Sequence, residues 1–304
     1  LRTKTKSNFR AGKSNYFISE ADEYMRHFLN FKPKILAITN IESDHLDYYK
    51  NLTDIQKAFS ELVSKIPKDG FLVCNPKNPK VKPVLKSAKC RVVDYTKVKT
   101  EFKLKFPGRH NIENAKAAFA VAEILEIPKQ KIIAALKDYR GTWRRFEFKG
   151  KTKTGALVYD DYAHHPTEIK ATLKAFREKF LDKKLVVVFQ PHLFSRTKIL
   201  LNDFAGSFKD ADKVILAPIY AAREKDDGSI NSEMLAKKIK QTGKTVSTPC
   251  PVRSREGSQR IPASYGVENF EKIAHYLTAN TGKNDVIILM GAGDIYKVGE
   301  RLLM

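Results

Sequence analysis

In the segment 159–169, YDDYAHHPTEI, residues 159–165 bring two carboxylates, two phenols and two imidazoles close together in the sequence. It comes directly after an apolar run and just before a predicted helix, so these side chains are expected at a strand end. Imidazoles change charge near neutral pH, and positioned carboxylates and phenols bind cations or transfer protons. The segment therefore predicts a binding or catalytic site at this strand end.

Three more polar segments follow predicted strands in the same half of the chain: 190–196 (QPHLFSR), 217–228 (APIYAAREKDDG) and 291–294 (GAGD). In open α/β sheets, ligands bind beyond the carboxyl ends of the strands. Four polar strand ends in one predicted domain indicate a shared site more strongly than any one of them does.

The first half of the chain has acidic residues at two neighbouring strand ends, in 18–24 (ISEADEY) and 39–49 (TNIESDHLDYY). His45 lies among oxygen donors that suit a hard divalent cation, such as magnesium bound with a nucleoside triphosphate. On composition alone, a surface turn with helix-capping aspartates is the favoured interpretation of the second segment. The choice depends on whether another part of the site holds the phosphates.

A second candidate ligand position is the predicted helix start in 106–125, FPGRHNIENAKAAFAVAEIL. Gly108 and three polar residues precede the apolar face, and a helix N-terminus attracts anions through its exposed N–H groups. An anion or a purine edge could bind there. Ordinary capping by Asn111 is the alternative.

The elements that must position these residues form two series of alternating strands and amphipathic helices, which predicts an α/β fold with a mostly parallel sheet. Predicted strands of the first series are 15–21, 34–41, 70–75 and 90–95, with helices at 53–66, 112–125 and 129–139. Predicted strands of the second are 156–163, 184–191, 212–220 and 285–293. We place the domain boundary near Thr142, giving domains 1–142 and 143–304, and predict an irregular insertion loop at 247–266.

Composition limits the function classes. The 304 residues are 42% hydrophobic, enough for a sizeable core, and 56 Lys and Arg against 34 Asp and Glu give a net charge of +22. Such charge attracts nucleic acid, anionic lipid or phosphorylated small molecules. The lysines are spread along the chain, without interleaved aromatic residues that would form a base-stacking platform. A solvated lysine-rich surface is the favoured interpretation, with phosphate ligands next and nucleic acid disfavoured.

Cysteines and apolar runs indicate the compartment. The three cysteines form no CxxC pair, which favours a reducing cytoplasm over a disulfide framework or a zinc cluster. The apolar runs are far shorter than the roughly 20 residues that a membrane span needs. We therefore expect a cytoplasmic protein that does not span a membrane.

Seven segments of the sequence together resemble the Mur ligase family, in order and in approximate spacing: EADE, TNIESDHLD, PGRHNIENAKAA, WRRFE, DDYAHHPTEI, QPHLFSRT and GAGD. The resemblance implies a partial central ATP-binding domain and a Rossmann-like C-terminal domain. It also implies an ATP-dependent ligase of peptidoglycan synthesis, acting through an acyl phosphate. UDP-N-acetylmuramate and L-alanine would be the substrates, with ATP and Mg²⁺ as cofactors.

The resemblance also implies roles for single residues toward the nucleotide. Glu20 and His45 would be magnesium ligands. Arg145 would contact the phosphates, and Asp161 the ribose. The implied adenine contacts are His110, Asn111 and Asn114.

Other implied roles concern the reacting centre. Tyr162 and His164 would face it as catalytic residues together with Arg145. His192 and Arg196 would hold the amino acid, Arg196 through its carboxylate. His165, next to a proline at the predicted helix start, is expected to be structural.

Two departures from the family pattern affect the prediction. Leu193 stands where the family has an arginine, which removes one of two carboxylate-binding groups and affects amino-acid affinity or identity. No GxxGK[ST] loop occurs in the 304 residues, and in the family that loop and a UDP-binding domain precede the region matching Leu1. Without the loop's phosphate cradle, we expect the 304-residue chain to be inactive as a ligase on its own.

Two alternatives stay open on the sequence. One is a ligase of the same family that reattaches a recovered tripeptide to UDP-muramate, although the QPHxxSRT form argues against it. The other is a non-catalytic protein that kept the fold and binds a nucleotide or nucleic acid. Leu193, the missing loop and the charge favour this second alternative, whereas retention of Glu20, His45 and Asp161 argues against it.

Overall fold

The computed structural model describes residues 9–248 and 263–304, and side chains within 263–268 are not described. The chain divides into two compact units, with the division between Arg140 and Gly141. Both units are α/β, as the alternating pattern predicts. In the part of the chain that the structure describes, no helix is both long and apolar enough to cross a bilayer.

The N-terminal unit is built on a parallel sheet of three strands in the order β1-β2-β3. The strands are β1 (Ile35–Ile38), β2 (Phe71–Cys74) and β3 (Arg91–Asp94). The helices are α1 (Leu52–Ser64), α2 (Arg109–Ile124) and α3 (Lys129–Asp138), with 3₁₀ turns at Tyr24–Asn30, Lys82–Ser87 and Tyr95–Lys97. Three of the four predicted strands of this series and its three predicted helices therefore form to within a few residues of the predicted bounds.

Helices cover the sheet of the N-terminal unit with their apolar faces. In α1, Ile55 and Leu62 are buried in the larger core cluster, and the Asn51 side chain caps the helix by accepting from the Asp54 N–H at 3.0 Å. In α2, Ala117 and Ala120 pack with Val73 of β2 in a second cluster. Burial of Leu72, Val73 and Cys74 fits a central strand covered on both faces.

The C-terminal unit holds a six-stranded sheet in the order β4-β5-β9-β6-β7-β8. Its strands are β4 (Glu147–Lys151), β5 (Leu157–Asp161), β6 (Lys184–Phe189), β7 (Lys213–Leu216), β8 (Thr245–Ser247) and β9 (Asp285–Met290). Its helices are α4 (Pro166–Lys179), α5 (Phe194–Ile199), α6 (Leu201–Ala205), α7 (Ser232–Lys240), α8 (Ala263–Asn280) and α9 (Tyr296–Leu302). Only β4 pairs antiparallel within this sheet as described.

Strand register brings the four polar strand ends to one edge of this sheet. Met290 of β9 pairs with Asp161 of β5 on one side and with Phe189 of β6 on the other. Phe189 in turn pairs with Leu216 of β7. The segments after these four residues therefore start side by side, above a sheet whose two faces are buried in separate apolar clusters.

Several sequence predictions are wrong in detail. The predicted strand 15–21 does not form, and the apolar side chains of Phe17 and Ile18 are 78% and 85% exposed, because no described strand pairs with them. Strands β4 and β8 were not predicted, since β4 (EFKGK) lacks an apolar run and β8 is three residues long. Of the predicted loop, residues 249–262 lie outside the described residues, whereas Ser247 ends β8 and 263–266 belong to α8.

Tyr49 makes the stability of the N-terminal unit depend on alkaline pH. Its side chain is 1% exposed and its hydroxyl donates to the Glu23 carbonyl at 2.5 Å. Burial raises its pKa from 10.0 to about 12, although the Arg26 charge opposes the shift. Between these values the unfolded chain has lost the phenolic proton that the folded chain keeps, so stability falls as pH rises.

We expect the free energy of unfolding of the wild-type protein to decrease between pH 10 and about 12 relative to that of Tyr49→Phe. Urea unfolding of both proteins across that range measures the difference. Tyr48→Phe, which removes the exposed neighbouring phenol, is the matched control. Parallel pH profiles for wild type and Tyr49→Phe would contradict the assignment.

Candidate functional site

Aromatic and imidazole rings from neighbouring strand ends meet at the edge of the C-terminal sheet. The ring centroids of Tyr162 and His164 are 5.3 Å apart, and those of His164 and His192 are 5.7 Å apart. His192 stacks on Tyr220 at 5.5 Å with an interplanar angle of 22°. The structure thus brings together side chains from β5, β6 and β7, and we call Tyr162, His164, His192 and Arg196 the strand-end cluster.

In their neutral forms, the two imidazoles of this cluster are assigned opposite tautomers by their hydrogen-bond partners. His164 Nδ1 lies 3.0 Å from the Tyr162 carbonyl and 3.4 Å from Glu168 Oε2, both acceptors, so Nδ1 carries the proton. His192 Nδ1 lies 3.3 Å from Arg196 Nη1, which can only donate, so this nitrogen accepts. In the neutral rings, His164 Nε2 is therefore an acceptor and His192 Nε2 is a donor.

Glu168 and His165 fix the turn between β5 and α4. His165 is the N-cap of α4, and its Nδ1 accepts from the Thr167 N–H at 3.3 Å. Glu168 Oε2 completes the capping box by accepting from the backbone N–H groups of His164 and His165 at 3.0 and 3.2 Å. Burial opposes ionisation of Glu168, but His164, Arg145 and these N–H groups lower its pKa. The structural role predicted for His165 is confirmed.

Asp161 organises the strand end through its own carboxylate. One oxygen accepts from the Phe146 N–H at 2.8 Å, and the other accepts from the Ala163 N–H at 2.9 Å and the Thr172 hydroxyl at 3.3 Å. Burial raises the pKa of this carboxyl, against the effect of the two N–H groups and Arg145. The side chain is only 3% exposed and shapes the turn, and its contact with a ribose stays a prediction.

The two predicted arginines differ in exposure. Arg145 is 48% exposed, with Nη1 3.5 Å from Glu168 Oε1 and its guanidinium 5.4 Å from the centre of the Tyr162 ring. Arg196 is 7% exposed and contacts His192. An exposed arginine beside the cluster suits a large anion, whereas a buried one suits a small carboxylate.

The glycine loop, residues 291–294, closes over the β6 end at very short range. Gly291 has a φ of +143°, and a Cβ added there would lie 2.6 Å from the Gln190 carbonyl oxygen. A Cβ on Gly293 would lie 2.5 Å from Gln190 Oε1 and 2.8 Å from Tyr220 Cγ. Only glycine allows this approach without displacing the neighbours.

We expect Gly291→Ala to lower the free energy of unfolding by roughly 2 to 3 kcal/mol, since both the backbone conformation and the Gln190 carbonyl oppose a side chain. Chemical denaturation measures the change. Gly282→Ala is the control, because its added Cβ would meet a backbone oxygen only at 3.7 Å. Equal stability of the two variants would contradict this explanation.

Sequence reasoning missed a buried ion pair beside the cluster. Arg144 Nε lies 3.0 Å from Asp160 Oδ2, and the two side chains are 3% and 1% exposed. Burial raises the pKa of Asp160 from 3.8 to about 6, although Arg144 lowers it. The doubled arginine of WRRFE and the doubled aspartate of DDY contained the signal, since one member of each pair could turn inward.

Leu193, where the resemblance implies a missing arginine, is also a structural residue here. It is 2% exposed, has a φ of +69°, and its N–H donates to the Tyr220 carbonyl at 2.9 Å. A left-handed conformation at a leucine is unusual. The backbone at this position is thus held by the segment that follows β7, and it determines how His192 and α5 leave β6.

In the N-terminal unit, His45 lies beside Glu23. His45 Nε2 is 3.3 Å from Glu23 Oε1, and the ring is 4.9 Å from that of Tyr24. Glu20, the predicted metal ligand, is an exposed residue of the irregular segment before the first turn. Within residues 9–248 and 263–304, no three His, Cys, Asp or Glu side chains are arranged to hold a metal. The magnesium ligands Glu20 and His45 stay a prediction.

The Asn111 side chain does not cap the N-terminus of α2. Gly108 is the N-cap, with a φ of 107°, and the Asn111 side-chain amide instead donates to the Pro107 carbonyl at 2.6 Å. His110 is half-buried on the first turn of α2, and Asn114 is exposed on the second. N-capping by Asn111 is therefore wrong, and the adenine contacts of these residues stay a prediction.

The fold is that of an ATP-dependent ligase family. The profile of the Mur ligase middle domain matches residues 3–101, and that of the "Mur ligase, glutamate ligase domain" matches residues 144–293. The chain belongs to the Mur ligase family.

Similarity to individual proteins is more specific than the match to the family. The chain is 41% identical over 323 residues to the UDP-N-acetylmuramate–L-alanine ligase of Clostridium acetobutylicum, covering 97% of this chain and 66% of that protein. It is 40% identical to the same enzyme of Caldanaerobacter subterraneus, again covering 97% and 66%. The chain thus spans about two thirds of the length of these curated relatives.

Solved structures agree with the fold. The crystal structure of the UDP-N-acetylmuramate-alanine ligase from Thermotoga maritima superposes with a TM-score of 0.66 at 26% identity, covering 91% of this chain and 60% of that one. A murein peptide ligase from Psychrobacter arcticus superposes with a TM-score of 0.60 at 21% identity, covering 91% and 58%. The second likeness concerns the fold alone.

Proposed function

We propose that this chain supplies the L-alanine-binding part, and a portion of the ATP-binding part, of a ligase that joins L-alanine to UDP-N-acetylmuramate in the cytoplasm. The observation that carries the proposal is the strand-end cluster, which combines a buried arginine with an imidazole acceptor and an imidazole donor. Relatives at 41% identity that are named for this reaction support the choice of substrates.

The proposed reaction proceeds in two transfers. A carboxylate oxygen of UDP-N-acetylmuramate attacks the γ-phosphorus of ATP, which gives an acyl phosphate and releases ADP. The amine of L-alanine then attacks the acyl carbon, and the tetrahedral intermediate expels inorganic phosphate and leaves an amide. Because charge accumulates on phosphoryl and acyl oxygens, positioned cations and donors stabilise both steps.

The cluster provides the groups that the second transfer needs. Arg196 is proposed to pair with the L-alanine carboxylate, and His192 Nε2–H to donate to an oxygen of the same substrate or of the acyl group. His164 Nε2, the acceptor nitrogen, is proposed to take the proton that the attacking amine loses. Arg145, exposed beside Tyr162, is proposed to pair with the phosphates.

The remaining proposed contacts are with the nucleotide, and each is proposed within a single unit. Asp161 is proposed for the ribose. The first two turns of α2 offer the proposed adenine contacts, His110, Asn111 and Asn114. A helix N-terminus with side-chain amides can satisfy the donors and acceptors of a purine edge.

The N-terminal unit offers carboxylates that could supply part of the ligand set of a magnesium ion. Mg²⁺ prefers oxygen ligands and commonly takes one or two carboxylates, with phosphates and water for the rest. Glu23 supplies such a carboxylate, with Oε1 3.3 Å from His45 Nε2, and Glu20 is the carboxylate implied by the resemblance. When bound, the ion would neutralise charge on the phosphates.

An experiment can distinguish whether Glu23 or Glu20 binds the magnesium ion. Since Glu23 is the one in contact with His45, we expect Glu23→Gln to reduce the Mg²⁺-dependent gain in ATP affinity by about tenfold. Glu20→Gln is the matched comparison. Calorimetric titration with ATP, with and without Mg²⁺, gives the gain for each variant. A loss confined to Glu20→Gln would instead support Glu20 as the ligand.

Amino-acid selectivity tests the proposed function. We expect calorimetric titration of the 304-residue protein, in the presence of ATP and Mg²⁺, to show binding of L-alanine and much weaker binding of D-alanine. Preferential binding of an L-alanine-containing tripeptide would support a recycling ligase instead. Binding of nucleic acid that weakens steeply with salt, without amino-acid binding, would replace the proposal by a non-catalytic role.

A further inference from the structure

Arg144 links several separate segments of the C-terminal unit through one guanidinium. Its Nε donates to Asp160 Oδ2 of β5 at 3.0 Å. Its Nη1 and Nη2 donate to the carbonyls of Gly293 and Gly291 in the glycine loop, at 2.9 and 2.6 Å. A planar fork with several donors can satisfy all three acceptors at once, which a lysine ammonium cannot do with the same geometry.

The rings around Arg144 extend this link to the strand-end cluster. Its guanidinium carbon lies 5.2 Å from the centre of the Tyr162 ring and 5.0 Å from that of Tyr296, the first residue of α9. The Arg144 carbonyl accepts from the Tyr162 N–H at 2.7 Å. Both the ring and the backbone of Tyr162 are therefore placed by Arg144.

The backbone around Arg144 turns the next arginine outward. Arg144 and Phe146 have φ values of 55° and 48°, which are unusual for residues with side chains. Arg145 lies between them in the sequence and also contacts Tyr162. Its guanidinium carbon is 5.4 Å from the centre of the Tyr162 ring, and its Nη1 is 3.5 Å from Glu168 Oε1. Left-handed backbone at such positions persists only where surrounding contacts enforce it, and the Arg144 bonds are such contacts.

We propose that Arg144 is a positioning residue that holds Arg145, Tyr162 and the glycine loop in one fixed arrangement, and so sets the affinity of this site for a phosphate-bearing ligand. The part that concerns affinity rests on the proposed function, since it takes ATP as the ligand of Arg145. Arg144 itself, 3% exposed, contacts the loop and the rings rather than the ligand.

The unit contains a second arginine clamp that serves as a matched control. Arg177 of α4 donates to the carbonyls of Lys183 and Asp210 at 2.9 and 3.0 Å and to Asp212 Oδ2 at 2.6 Å. These partners lie before β6 and β7, at the opposite edge of the sheet from the cluster. Arg177→Lys thus removes the same kind of fork from the same unit without touching the site.

Hydrogen exchange and ATP titration of the 304-residue protein test the proposal. We expect Arg144→Lys to speed amide exchange in 142–147, 160–163 and 291–296 by about tenfold, and to weaken ATP binding by about tenfold, as Arg145→Gln does. Arg177→Lys should leave exchange in these segments and ATP affinity within about twofold of wild type. If Arg144→Lys does not fold, Asp160→Asn, which keeps the two carbonyl partners, is expected to show the same changes at smaller size.

Each outcome either supports or overturns the positioning role of Arg144. Exchange in the three segments that is as slow in Arg144→Lys as in Arg177→Lys overturns the proposal. Faster exchange with unchanged ATP affinity also overturns it, because Arg144 would then serve the fold alone. If the wild-type protein binds no ATP, the proposed function fails together with the affinity part, whereas slow exchange that depends on Arg144 still supports its positioning of the loop.

Discussion

Replacing Arg196 by alanine should weaken L-alanine binding about 100-fold, and replacing it by lysine about tenfold. Arg196 is 7% exposed on α5, and its guanidinium is oriented by the contact with His192 at 3.3 Å. A buried guanidinium pairs with a carboxylate through two hydrogen bonds, whereas a lysine offers a charge without that geometry. Each tenfold step corresponds to about 1.4 kcal/mol of binding free energy.

The control for Arg196 lies on the same helix. Lys198 is exposed, so Lys198→Ala removes a cation from α5 without entering the cluster, and it should change the affinity less than twofold. Calorimetric titration with L-alanine compares the three variants with wild type. Unchanged affinity in Arg196→Ala would show that the amino acid binds elsewhere.

Replacing Asp161 by alanine should lower the free energy of unfolding of the C-terminal unit by about 3 kcal/mol. The substitution leaves the N–H groups of Phe146 and Ala163 and the Thr172 hydroxyl without the acceptor they now use. A buried donor that loses its partner costs about 1 to 3 kcal/mol, and charged acceptors increase the loss. For a unit of this size the melting temperature should fall by roughly 6 to 12 °C.

Two variants make the Asp161 result interpretable. Asp161→Asn keeps one acceptor oxygen, so it should lose about half as much stability. Asp182→Ala removes an exposed aspartate of the same unit and should change stability by less than about 0.5 kcal/mol. Calorimetric unfolding separates the transitions of the two units where they unfold independently. A melting temperature of Asp161→Ala equal to that of Asp182→Ala would contradict the structural role.

The sequence was sufficient to predict the strand-end edge of the C-terminal sheet, because buried parallel strands are continuous apolar runs. The runs ending at Asp161, Phe189 and Met290 are β5, β6 and β9, and their register places the polar segments side by side. Edge strands lack that signal. β4 and β8 were missed because, among the described residues, each has a partner strand on one side only, and because their residues are partly polar.

The residues that fix the geometry of the site were harder to predict than those that face it. Nothing in the order of letters shows that Arg144 turns inward and Arg145 outward, since this depends on left-handed backbone at 144 and 146. In the same way, the hydrophobic run 16–18 suggested a strand, but strand formation requires a neighbour that local sequence does not specify. The orientation of the two arginines and the absence of this strand both depend on contacts between residues that are far apart in the sequence.

The most direct test of the central claim is where L-alanine binds. In NMR spectra of the 304-residue protein with ATP and Mg²⁺, titration with L-alanine should shift the signals of Tyr162, His164, His192 and Arg196 together and in a saturable way. The ring nitrogens of His164 and His192 should respond in opposite senses, since one accepts and the other donates. Saturable shifts that map to other residues, or no shifts at all, would contradict the assignment of this cluster as the amino-acid site of a Mur ligase.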